Sequence, residues 1–177
     1  SHITFNELDA QVTSLLHAGL CRRHPFLLHT WSEGSPGGDF CSFAGGSDTV
    51  MAIAGPPSVA YDIARMLEMS VQYYRRSQLQ RLSLDGKLRT LSRLLRQNLP
   101  LAIQGIGAVV PIYAAYDPDA GESKIFFYDL LGAEFECVDF CTTGSGSNII
   151  RGALYYQNRW GTPLAEMAEE QAVETVL

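Results

Sequence analysis

The stretch CTTGSGSN, residues 141–148, sets two glycines and two serines between two apolar runs of different period. A simple connection needs only one residue that turns. Alternating Gly and Ser supplies more: a backbone that can pass close to another group, with amide donors and hydroxyls facing it. Two readings of the local chemistry stay open. In one, Gly144 turns the chain and Ser147 caps the following helix. In the other, the loop backs an active site and contributes the Ser145 hydroxyl.

Other chemistry-bearing residues are less well placed. Cys21 and His24 have a ligand-like spacing, but no second pair completes a zinc set. Asp117, Asp119 and Glu122 resemble the start of a calcium loop; without the later bidentate Glu, DPDAGE reads as a turn between strands. Cys137 and Cys141 read as small core residues rather than a redox pair. An esterase elbow would need GxSxG, which residues 144–147 do not give. All four histidines (His2, His17, His24 and His29) fall near the start of the chain, so a His-based triad would depend on its least regular part. No metal or cofactor is expected.

Composition narrows the class. Hydrophobic residues at 46% and charged residues at 18% are ordinary for a soluble globular chain of this length. A formal charge of -6 argues against nucleic acid or an anionic membrane as partner. No run approaches the ~18 apolar residues of a transmembrane helix. SHITFNELDA lacks the pattern of a secretory leader. Four cysteines without a paired CxxC pattern fit a reducing compartment, so a cytoplasmic location is expected.

The elements that must position these residues follow from periodicity. Residues 49–54 are a short apolar run ending at Gly55-Pro56-Pro57, as expected of a buried strand. Val59, Ile63, Met66, Leu67, Val71 and Tyr74 then recur at helical spacing, with Arg75 and Arg76 in the last turn. Asp85 to Leu88 opens a second helix with Leu88, Leu91, Leu94, Leu95 and Leu99 on one face, and Arg89, Arg93 and Arg96 on the other. Three strands are expected next, over 108–116, 124–128 and 134–140, with Pro111 marking an edge or a bulge. Ile149, Ile150, Leu154 and Tyr155 return to helical spacing. Thr162 and Pro163 would cap and open a last helix running to Val176.

Residues 1–47 form a separate, irregular segment. Thr4 and Glu7 fit a capping box, and Leu8, Val12, Leu15 and Leu16 follow at helical spacing. Beyond Cys21, glycine, serine and proline are dense and neither period persists. The chain thus divides into this segment and a body over 48–177, with helices layered on an antiparallel sheet in an α+β fold.

Three segments of that body, AIAGPPSVAYDIARMLEMSVQYYRR, LSLDGKLRTLSRLLRQNL and AIQGIGAVVPIYAAYD, together with the strand–GSGS–helix junction, resemble the body of a bacterial proteasome β-type subunit. The resemblance implies a four-layer α-β-β-α sandwich of the N-terminal-nucleophile hydrolase type, here expected to be incomplete. It implies assembly with other proteasome α- and β-type subunits in seven-membered rings, which degrade unfolded proteins to peptides. In that family an N-terminal Thr hydroxyl attacks the peptide carbonyl while its α-amino group, or water, handles the proton. A serine of the glycine-rich loop packs beside it. That serine transfers by motif to Ser145. Thr4 and Thr30 are the candidates for the nucleophile.

The sequence also departs from the family. A Thr-Thr start and a Gly-Asp-Arg segment are not recognisable in residues 1–48; residues 18–23, AGLCRR, carry Leu20 where an acid is expected. No lysine precedes Lys87, and the later Asp and Ser of the family site fall beyond Leu177. Three explanations compete: an inactive fragment or frame-disrupted subunit, a diverged subunit that supplies ring contacts only, or a leader over 1–29 that exposes Thr30. The first is favoured, with a catalytically impaired threonine-type endopeptidase chain as the expectation. A non-catalytic ring or interaction module, using the stripes on 59–74 and 88–99, is the alternative.

Overall fold

The computed structural model describes residues 49–117, 120–144, 146–168 and 171. Within them the chain forms β1 (Thr49–Ala54), α1 (Pro57–Gln78), α2 (Leu84–Ile103), β2 (Val110–Asp117), β3 (Glu122–Tyr128), β4 (Glu134–Cys137), α3 (Ser147–Trp160) and a 3-10 turn, Leu164–Glu166. The capping box at Thr4 and the irregular segment lie outside the described residues.

The four strands make one antiparallel sheet in the order β1-β2-β3-β4. Alternation along each strand sorts its side chains onto two faces. Met51, Ile53, Tyr113, Ala115, Phe126 and Tyr128 face α1 and α2, meeting Ile63, Leu67 and Val71 of the first helix and Leu88, Leu91, Leu94 and Leu95 of the second. This is the main core. Ile112, Ala114 and Ile125 lie on the opposite face, where Cys141 packs with them. The sheet is thus apolar on both faces, as a sheet inside a layered α+β fold must be.

The helices follow local chemistry. Pro56 and Pro57 open α1, where a missing amide hydrogen costs nothing, and Arg75 and Arg76 lie in its last turn. Of its expected stripe, Ile63, Leu67 and Val71 are buried, whereas Met66 and Tyr74 are exposed. Ser83 caps α2 by accepting a hydrogen bond from the Gly86 amide. Arg89, Arg93 and Arg96 are exposed, as expected.

Three expectations change. Pro111 is not on an edge strand: β2 lies between β1 and β3, and Pro111 pairs with Ile53. The β2–β3 register begins only at Ile112, so the proline stands where one neighbour is absent and its missing donor is tolerated. The strand expected over 134–140 ends at Cys137, because Val138 and Asp139 bend the chain away. Finally, the last helix does not start at Thr162. Leu164–Glu166 is one 3-10 turn with Pro163 at its cap position, and Met167 and Ala168 leave it in extended or irregular backbone; Gln171 is helical, and Ala172 and Val176 lie outside the described residues. Leu164 and Met167 instead fold back onto Leu154 of α3.

Candidate functional site: the junction between β4 and α3

The glycine–serine junction leaves the sheet at Cys141 and enters α3 at Ser147. Its first half is buried and anchored. The Thr143 hydroxyl donates to the Val110 carbonyl at 3.1 Å, tying the junction to the first residue of β2. The Thr142 hydroxyl donates to the Ser147 carbonyl at 3.3 Å, closing the loop on itself. Threonine suits both positions, since its hydroxyl can satisfy a nearby carbonyl while its methyl stays in apolar surroundings.

Gly144 has φ 94, a conformation costly for any residue with a Cβ, so the expected turn at this glycine is present. The expected cap is not. Gly146 is the cap residue of α3, Ser147 is its first helical residue, and no side chain caps the helix. The turn already supplies donors and acceptors in the backbone: the Ser147 amide donates to the Gly144 carbonyl, and the Ile149 and Ile150 amides to the Gly146 carbonyl. These bonds satisfy three of the first amides of the helix without a side-chain cap.

Of the site residues expected from the sequence, Ser145, Thr4 and Thr30 lie outside the described residues. So do all four histidines. Lys87 is buried in the first turn of α2, within the helical layer rather than on a strand. Among the described residues no group of His, Cys, Asp and Glu is arranged to hold a metal ion. Asp117 accepts from the Gly121 amide at 2.8 Å through its carbonyl, in keeping with a turn rather than a calcium loop at this point.

One feature escaped sequence reasoning. The paired threonines before the turn are structural anchors; a pair of β-branched hydroxyls entering a glycine turn was the available signal. The thiols of Cys137 and Cys141 belong to one apolar cluster, in keeping with small core residues. The Cys141 thiol, as hydrogen-bond partner, holds Cys137 below the usual thiol range, outweighing burial, with Arg151 acting in the same direction. The same bond and burial push Cys141 upward. Among the described residues of the junction, the Thr142 and Thr143 hydroxyls are committed to backbone carbonyls and hold it beside β2.

The family described as Proteasome subunit matches residues 42–177. A "Proteasome subunit beta 2" of Thermomonospora curvata is 43% identical over 106 residues, 60% of this chain and 38% of the relative. A "Proteasome subunit beta" of Streptomyces griseus is 34% identical over 129 residues, 73% of this chain and 44% of the relative. Another, of Jonesia denitrificans, is 38% identical over 112 residues, 63% and 37% respectively. The chain spans less than half the length of these curated relatives.

Proposed function

The chain belongs to the proteasome subunit family and is similar to its β-type members, and from that premise we propose that it acts as a β-type subunit of a proteasome core particle. The family match over residues 42–177 carries this reading, because it takes in the sheet, both packed helices and the junction at once. By family the activity is peptide-bond hydrolysis by an N-terminal threonine, acting on unfolded proteins in the cytoplasm. Partner α- and β-type subunits complete seven-membered rings. Among the described residues no helix is long and apolar enough to cross a membrane.

Exposed apolar side chains support the assembly part. On α3, Ile149, Tyr156 and Trp160 recur at helical spacing and are all more than two-thirds exposed. On the outer side of α1, Met66, Met69 and Tyr73 also recur at helical spacing and are exposed. Such stripes are characteristic of surfaces covered by a partner. Light scattering with co-expressed proteasome subunits should give a ring-sized species. A chain that stays monomeric in their presence, and binds an unrelated helix instead, would establish the interaction-module reading.

This chain is proposed to be catalytically impaired, with Thr30 or Thr4 as the nucleophile if one acts and Ser145 beside it. Support comes from Leu20, which stands in AGLCRR where the family pattern has an acid, and from the place of Lys87 in the helical layer rather than on a strand. Denaturing intact mass after incubation with a threonine-directed epoxyketone or β-lactone tests it. The expected mass is unmodified and full-length. An adduct on a shortened chain would overturn the impairment and identify the nucleophile by the new N-terminus.

A further inference from the structure

Cys137 ends β4, and Cys141 begins the junction four residues later. Between them Val138 and Asp139 form an exposed corner. Cys137 is in register with Ile125 of β3. Cys141 is buried in the cluster that contains this same Ile125, against which Cys137 also packs. The corner thus returns the chain so that two thiols share one small apolar site. One thiol is buried and the other is partly open to solvent.

We infer that Cys137 and Cys141 form a reversible dithiol–disulfide pair, oxidised by a low-molecular-weight disulfide of the glutathione type, with Cys137 as the attacking thiol. The Cys137 thiolate attacks one sulfur of the small disulfide; that S–S bond breaks, and one small thiolate leaves and takes up the proton Cys137 lost. Cys141 then gives up its proton and attacks the Cys137 sulfur. The mixed disulfide breaks, the second small thiolate leaves, and it is protonated in turn. Two protein thiols are oxidised to one disulfide, and one small disulfide is reduced to two thiols.

The order of attack follows from exposure and charge. Cys137 is the accessible sulfur, and its partner thiol and Arg151 favour its thiolate, the form that attacks. Cys141 is buried and held protonated, so it resolves rather than initiates. The closed bond would tie the end of β4 covalently to the residue before Thr142, whose hydroxyl holds the junction loop.

The test uses the unsubstituted full chain, equilibrated natively in glutathione buffers of rising oxidised fraction, then quenched with an alkylating agent. Proteolytic cleavage at Asp139 places the two cysteines on separate peptides. The expected product is a pair of peptides joined until a reductant is added, with Cys21 and Cys41 mapped separately. The same titration in denaturant controls for closeness in sequence alone. The native chain is expected to close the bond with an equilibrium constant at least ~10-fold larger, a shift of about 30 mV. Equal or weaker closure in the native chain would overturn the inference. So would a glutathione adduct on Cys137 beside an alkylated Cys141.

Discussion

The hydroxyl of Tyr128, the last residue of β3, lies 3.2 Å from the carbonyl oxygen of Leu88 in the first turns of α2 and donates to it. Tyr128 is fully buried, and this bond spans the interface between sheet and helices. Burial, and after it the nearby Glu134 carboxylate, push the phenol well above its ordinary range. The folded chain therefore keeps this proton where the unfolded chain loses it. The contribution is fully present below about pH 10, the unfolded value, and fades as pH rises beyond it. Tyr128→Phe should cost about 1 kcal/mol near neutrality and flatten the alkaline loss of stability, as read by urea denaturation at several pH values.

Leu91 is completely buried where α2 meets the sheet, whereas Arg93 two positions on is exposed. Leu91→Ala should destabilise by about 2–5 kcal/mol through lost burial and the cavity left behind. Arg93→Ala should stay within about 0.5 kcal/mol. Equal effects in chemical denaturation would contradict the packing described.

Two backbone positions give opposite expectations. Leu79 ends α1 in the left-handed conformation, φ 54, with its side chain almost wholly exposed. Leu79→Gly should raise stability by roughly 0.5–1 kcal/mol, since glycine relieves the clash at no packing loss. Gly132 also has positive φ, 74, but a Cβ there would lie 2.6 Å from the Ser92 carbonyl oxygen of α2. Gly132→Ala should destabilise by on the order of 1–3 kcal/mol. Thermal melts of the two variants should move in opposite directions.

The serines at two helix starts differ in role. Ser83 caps α2, so Ser83→Ala should cost about 1 kcal/mol. Ser147 caps nothing, and Ser147→Ala should fall within about 0.5 kcal/mol. A large loss at Ser147 in a denaturant titration would restore the cap that the sequence suggested.

Much of the fold was legible because its signals are local. The apolar run of β1 and the leucine stripe of α2 depend on neighbours within one or two turns of chain, and each stands where expected. Errors arose where a long-range partner decides. Pro111 marks an edge only if its strand is outermost, and pairing with β1 put it inside. The stretch 134–140 alternates like one strand, yet pairing with β3 stops at Cys137. Of the candidate site, only the turn at Gly144 was readable, because positive φ is a property glycine carries with it.

The sequence by itself determined the element order through β4 and α3, the faces of α2, and the resemblance that led to the family. These rest on periodicity and on residue types that fix their own backbone. Tertiary structure alone decided that Thr143 anchors the junction to Val110 and that Tyr128 ties the sheet to Leu88. It also decided that Cys137 and Cys141 share a site. Each is a contact whose geometry depends on how elements pack or where a strand ends, and no local pattern records that.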